Sequence, residues 1–223
     1  MTRINFDNFV ESYITQTQKQ TIFFNKERDY FDLYKVNLLK EINTSRPNKI
    51  LDFGCGIGLC LRFLVKTFKS SKIYAHDESK KSQAFAKKKY HGVYFLNKNQ
   101  LEKHKYDIIF ISGVFHHVQI EKRKKLISKL NRMLNKNGNI FITEHNPYNP
   151  ITQKIVSECE YDKDAQLLKR KNLFNLLKSN NFSIKNSGYY LFFPEFFKFF
   201  RPVEKYLRWL PLGGQYFIFA KKS

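Results

Sequence analysis

Acidic residues are scarce in this chain: 19 Asp and Glu stand against 40 Lys and Arg over 223 residues, a formal net charge of +21. Such an excess points to an anionic partner, either a nucleic acid or an anionic membrane surface. The basic clusters are scattered, however, at Lys80–Lys81, Lys87–Lys89, Lys122–Lys125, Lys169–Lys171 and Lys221–Lys222. Most fall in helix-like stretches and read as solvated faces. The abundance of Lys, Asn, Ile and Phe also reads as the product of an A+T-rich genome. A nucleic-acid partner is therefore disfavoured, though still open. Cysteine is scarce too. Cys55, Cys60 and Cys159 are odd in number and lack metal-ligand spacing, so neither a disulfide framework nor a cysteine metal site is expected, and the compartment reads as the reducing cytoplasm. The opening MTRINFDNFV has no apolar signal core, and no apolar run approaches the ~20 residues of a membrane span.

Hydrophobic residues make up 42% of the chain, enough for a core, and its length suits a single α/β domain. Apolar residues at helical spacing (Phe31, Tyr34, Leu38, Leu39, Ile42) predict a helix that Pro47 ends. Strands are expected at 49–53, 72–77, 93–96, 106–112 and 139–145. Helices are expected at 59–68, 79–90 (capped by Ser79), 120–134 (stopped by NKNG) and 165–178. Segments 181–193 and 214–222 form a final strand pair. Strands alternating with helices imply βαβ units and a mostly parallel sheet. Residues 1–45 are expected to form a helical flap. Segment 194–212, between the last two strands, should form an aromatic and basic cap.

Only 9 glycines occur, yet three lie in LDFGCGIG, at Gly54, Gly56 and Gly58. They follow a strand, where an open α/β sheet binds its ligands. Glycine there permits a tight turn and lets a ligand approach the backbone. A dinucleotide fingerprint, G-x-G-x-x-G, would place its third glycine at position 59, which is Leu59. The pattern is instead Asp52-x-Gly54-x-Gly56-x-Gly58, with a second acid, Asp77, at the end of the next strand.

This D-x-G-x-G-x-G form resembles motif I of the class I S-adenosylmethionine-dependent methyltransferases. YDIIFISGVFHHV (106–118) is similar to the fourth strand and following loop of the branch that includes ubiquinone/menaquinone-biosynthesis-type enzymes (types 11 and 12). EHNPYNP (144–150) and PLGGQY (211–216) are similar to a bacterial subgroup associated with surface-polysaccharide or secondary-metabolite gene clusters. The resemblance implies a Rossmann-like seven-stranded sheet of order 3-2-1-4-5-7-6, its last strand antiparallel, with helices on both faces. It implies an S-adenosylmethionine site, with S-adenosylhomocysteine as product, built from Asp52, Gly54, Cys55, Gly56, Gly58, Asp77, Glu78 and Ser112. Asp77 would meet the ribose, or merely cap the next helix. Asn97 stands where many relatives carry an adenine-binding Asp.

Methyl transfer needs in-line alignment, exclusion of water and, for a hydroxyl acceptor, a base. It needs no metal. Candidate bases lie beyond the fourth and fifth strands: His116, His117, Glu144 and His145. His145 is preferred. His117 can equally orient the loop, and Glu144 can orient His145 or line the pocket. Tyr34 and Lys35 are lid contacts or simple helix packing. NPYN follows the fifth strand rather than the fourth, so Pro147 and Pro150 read as a rigid turn and not as an amine-binding motif. PEFFKFFRPVEKYLRWL (194–210) reads as a cap packed on the sheet with a basic edge in water, or as a helix on an anionic bilayer. The expected activity is methyl transfer to a small-molecule or saccharide-type acceptor, at oxygen. The rivals are an RNA methyltransferase and a non-catalytic protein that keeps the fold.

Overall fold

The computed structural model describes residues 6–8 and 29–223. The flap expected over 1–45 therefore lies largely outside the described residues, apart from a short turn at Phe6–Asn8 and helix α1, Tyr30–Ile42. Seven strands form one sheet: β1 Lys49–Phe53, β2 Lys72–His76, β3 Val93–Phe95, β4 Tyr106–Ser112, β5 Leu134–His145, β6 Phe182–Tyr190 and β7 Gln215–Lys222. Their order is β3-β2-β1-β4-β5-β7-β6. The pairs β1–β2, β1–β4, β2–β3 and β4–β5 are parallel, and β7 runs antiparallel to β5 and β6.

The central strands are apolar on both faces because helices cover both sides. The remaining helices are α2 Leu61–Thr67, α3 Lys80–Lys89, α4 Lys98–Leu101, α5 Ile120–Met133, α6 Pro150–Glu158, α7 Arg170–Lys178 and α8 Glu204–Leu207. One face of the sheet packs Leu51, Ile109 and Ile142 against Ile127 and Leu130 of α5 and Leu173 and Leu177 of α7. The other packs Ile50, Phe110 and Phe217 against Val36 and Leu39 of α1 and Leu61 and Leu64 of α2.

Three local readings are corrected. β5 begins at Leu134, which already pairs with Tyr106. The NKNG segment thus lies inside the strand, with Asn137 at φ 68 marking the irregularity. Pro150 does not belong to a turn. It opens α6, with the Asn149 side chain accepting from Thr152 N at 2.9 Å, because proline suits the first helical position, where its missing N–H costs nothing. The helix expected over 165–178 starts only at Arg170.

The segment 194–212 keeps Lys198 and Lys205 in water as expected of a basic edge, but its aromatics are not packed on the sheet. No residue of Glu195–Val203 is buried. Phe196, Phe199, Tyr206, Trp209 and Leu212 are each more than 60% exposed. Glu204, Arg201 and Arg208 turn inward, while Lys198 and Lys205 stay exposed. Glu204 is buried and accepts from Tyr34 Oη (2.7 Å), Phe192 N (2.9 Å) and Phe193 N (3.1 Å). Arg208 makes a two-pronged contact with Glu41 at 2.9 and 2.8 Å. Arg201 lies 4.1 Å over the Tyr30 ring. Charged anchors tie the segment to α1 and leave its aromatics facing outward.

Candidate active site

The carboxyl ends of β1, β2, β4 and β5 open into one cavity of about 1020 Å³. The glycine loop after β1 is pinned to β2, since Gly54 N and Cys55 N both donate to His76 O, at 2.8 and 3.0 Å. All three glycines have positive φ, +77°, +53° and +85°, but the space around them differs. A Cβ on Gly54 would collide with Val114, and one on Gly58 would lie 2.6 Å from Tyr90. Gly58 serves the fold and does not line the cavity. A Cβ on Gly56 would meet nothing within 4 Å. Its bare face opens into the cavity.

Three acidic side chains, Asp77, Asp52 and Asp32, share the cavity with that face. Asp77 Oδ2 accepts from Gly56 N at 2.7 Å, and Oδ1 from Ser79 N at 2.8 Å. Burial raises the Asp77 pKa, and these two N–H donors only partly offset it. The Asp77 side chain caps no helix, because Ser79 caps α3 itself. Asp52 is fully buried, and its Oδ2 has no hydrogen-bond partner. Burial, then Asp77 and Asp32, push its pKa up to about 8. Thr143 Oγ1, another cavity-wall atom, is likewise buried without a partner. Asp32 adds a further carboxyl that accepts from Cys60 Sγ at 3.5 Å. Cys55 and Cys60 are not poised as nucleophiles, since burial raises both thiols well above their ordinary range.

The loop after β4 and the end of β5 form the opposite wall. Glu144 is buried and fully engaged: Oε1 accepts from Val114 N (2.9 Å) and Phe115 N (2.7 Å), while Oε2 meets His116 Nδ1 at 2.6 Å. It orients His116 and the loop rather than His145. The His116 Nε2 lies 3.4 Å from Asp162 Oδ1, and His117 Nε2 lies 3.3 Å from the same oxygen. His117 Nδ1 meets Asp164 at 3.2 Å. Burial opposes a charge on His116, but Glu144 and Asp162 outweigh it and raise its pKa to about 10. His116 is thus an imidazolium and cannot take a proton. Burial, then the charge on His116, lower His145 to about 4. Its ring, 5.0 Å from that of His116, is neutral near pH 7. Arg123 donates to Val118 O and Gln166 O at 2.9 and 2.7 Å, locking this loop to the 159–168 segment.

Asp52, Gly54, Cys55, Gly56, Asp77, Glu78, Ser112, His117, Glu144 and His145 all line the cavity. Asn97 does not. It is exposed, and its Oδ1 accepts from Asn99 N and Gln100 N at 3.1 Å to cap α4. Lys35 lines the cavity, whereas Tyr34 packs on Tyr190 and bonds Glu204. Asp162 and Asp164 were missed. Their only sequence signal was the acid-rich YDKD that follows a break in helical pattern. The two quoted segments EHNPYNP and PLGGQY prove to touch: Asn146 Nδ2 donates to Pro211 O and Gly213 O, and Asn149 Nδ2 to Leu212 O. Asn146 is wholly buried in this structural role.

Residues 51–140 match the family model described as a methyltransferase domain. The match runs from β1, through the glycine loop, into β5. The chain is 30% identical over 154 residues to an uncharacterized protein of Rickettsia prowazekii, covering 62% of this chain and 61% of that protein. It is 25% identical over 175 residues to an uncharacterized methyltransferase of Bacillus cytotoxicus, covering 77% and 76%. This chain thus spans about 61% of the length of the first of these relatives. The crystal structure of a SAM-dependent methyltransferase from Archaeoglobus fulgidus superposes with a TM-score of 0.70 at 18% identity, covering 95% of this chain and all of that one. The sheet is the Rossmann-like sheet of that fold. Among the described residues, no helix is long and apolar enough to cross a membrane.

Proposed function

We propose that this chain is an S-adenosylmethionine-dependent methyltransferase acting at an oxygen of a small-molecule or saccharide-type acceptor. One observation carries the cofactor part of this reading: the bare face of Gly56 shares its cavity with Asp77 and the buried Asp52, whose Oδ2 lacks a partner. A buried carboxyl oxygen without a partner is costly unless a cationic or hydrogen-donating ligand meets it. The residues fit the cofactor's chemistry. Asp77 keeps lone pairs for ribose hydroxyls beyond its two backbone donors. Asp52 and Thr143 suit an ammonium, and the Gly56 face suits close approach of the nucleoside.

When bound, this cofactor supplies a methyl group already activated by positive sulfur. The chain's own contribution is position, enclosure and proton removal. Alignment of reacting groups is worth ~7–11 kcal/mol. His145 lines the cavity and is the candidate to accept a hydroxyl proton, although burial, which lowers it to about 4, makes it a weak base. A positioned base adds roughly 10²–10⁴-fold. His116, already protonated, and Glu144, fully bonded, hold the loop and supply its fixed charges. The test is transfer of a labelled methyl group from the cofactor to matched panels of hydroxyl and amine acceptors. Labelling of hydroxyls supports the reading, and labelling of amines alone contradicts the oxygen assignment.

The outward aromatics of 196–212 favour a second reading for where the acceptor is found. Exposed Phe199, Tyr206 and Trp209 beside Lys198 and Lys205 suit contact with an anionic bilayer that carries a lipid-linked acceptor. Sedimentation with phosphatidylserine vesicles, lost in Trp209→Ser and Phe199→Ser, supports it. Equal behaviour of variant and parent removes it.

A further inference from the structure

Beside the cofactor cavity, two histidines and one aspartate converge in a way that methyl transfer does not require. We propose that His116, His117 and Asp162 form a binding site for a divalent first-row transition cation. Ligand atoms of the three lie within 4.8 Å of one another. The His116 Nε2 and His117 Nε2 stand 3.4 and 3.3 Å from the same Asp162 oxygen. Donors about 2.1 Å from a tetrahedral cation are separated by about 3.4 Å, so these spacings need little adjustment.

The surroundings make the case stronger than the triad alone. Metal-binding imidazoles characteristically donate their second ring nitrogen to a carboxylate, which fixes the ring and its tautomer. Both rings do so here, on separate partners: His116 Nδ1 to Glu144 at 2.6 Å and His117 Nδ1 to Asp164 at 3.2 Å. Each pairing leaves Nε2 turned toward Asp162. Glu144 is itself fixed by two backbone N–H donors. An edge-on Phe6 ring, 4.9 Å from the His117 ring, braces the second histidine. The result is a preset donor array, with all three donor residues on the cavity wall.

Two imidazoles and one carboxylate favour a borderline cation such as Zn²⁺, Co²⁺, Mn²⁺ or Fe²⁺ over the all-oxygen sets that hold Mg²⁺ and Ca²⁺. The cation takes the place of the His116 Nε2 proton, which passes to solvent. Three protein donors leave coordination positions open toward the cavity, where an acceptor oxygen can bind and lose its proton more readily. Cation binding stands independently of the methyltransferase reading, and only the acceptor's coordination rests on it.

The experiment uses the full chain, stripped with chelator and titrated with Co²⁺ in a visible spectrometer and with Zn²⁺ in a calorimeter. One ion per chain is expected, with the d–d absorption of a low-symmetry cobalt site. His117→Ala and Asp162→Asn should abolish that stoichiometry, and Asp164→Asn should weaken binding roughly 10–100-fold through loss of ring orientation. Thermal melts and S-adenosylhomocysteine binding, measured on each variant, separate a lost cation site from a lost fold or a failed cofactor site. A parent chain that takes up no ion overturns the proposal, as does a folded His117→Ala variant that binds cobalt like the parent; either result leaves the cluster as an ion-pair network only.

Discussion

Alanine at Gly56 and at Gly58 should have opposite consequences, although the two glycines are two residues apart in one loop. At Gly56 the new methyl meets nothing within 4 Å, so the protein bears only the left-handed φ of +53°. That conformation costs an L-residue about 1–2 kcal/mol, which lowers Tm by about 2–8 °C in a chain of this size. At Gly58 the φ of +85° is joined by contacts of 2.6 and 2.9 Å with Tyr90 and 3.0 Å with Leu61. Overpacking adds about 1–3 kcal/mol to the backbone strain. Gly58→Ala should therefore be clearly the less stable of the two. Binding should rank them the other way. The methyl of Gly56→Ala fills the space through which a nucleoside reaches the backbone, and losing about 3 kcal/mol of contact weakens binding ~100-fold or more. Calorimetry with S-adenosylhomocysteine, paired with thermal melts, reads both quantities. A Gly56→Ala variant that melts near the parent and binds with parental affinity would refute the placement of the ligand on this face.

Three further outcomes follow from the same geometry. Asp77→Ala should weaken S-adenosylhomocysteine by about 150-fold or more in calorimetry, since each of two bonds to a charged acceptor is worth ~1.5–3 kcal/mol, while Asp77→Asn should fall between variant and parent. The carboxyl of Asp52, raised to about 8 by burial, is protonated at neutral pH without ligand. A cationic ligand favours its ionised form, so affinity for S-adenosylmethionine should rise with pH from about 6 to 8, releasing about one proton, and level off above; a profile in Asp52→Asn as steep as the parent's would count against this. Without ligand the sign for stability is opposite: the folded pKa exceeds the unfolded one, so ionising Asp52 costs stability as pH climbs from about 4 to about 8. His116→Ala strands buried Glu144 with only backbone donors and should cost about 3–5 kcal/mol. The His116 contribution is present below its ordinary pKa of 6.5 and is lost as pH rises through about 10; a denaturation series across that range checks it.

Much of the architecture was written in local patterns. Continuous apolar runs such as YDIIFIS announce strands buried on both faces, and D-x-G-x-G-x-G places the cavity at the end of the first. Asp52 and Asp77 were legible because each ends or nearly ends a strand beside that loop. What escaped depended on contacts far apart in sequence. Asp162 gains its role only when Arg123 and the Gln166 N–H to His116 O bond bring its segment against the β4 loop. Asn146 carried no local signal of its role, which is to bond carbonyls 65 and 67 positions away. Asn97 matched an alignment position, yet short-range capping claimed its side chain. The orientation of 194–210 was unreadable from its helical spacing because buried Glu204, with its partner Tyr34, decides which side faces inward.

The central claim is a nucleoside site at the bare glycine loop, and calorimetric titration of the unmodified chain with S-adenosylhomocysteine tests it most directly. One molecule bound per chain, with a matching rise in Tm, is the expected result. A chain that is folded, shows no binding heat and melts at the same temperature with a large excess of this nucleoside would contradict the account.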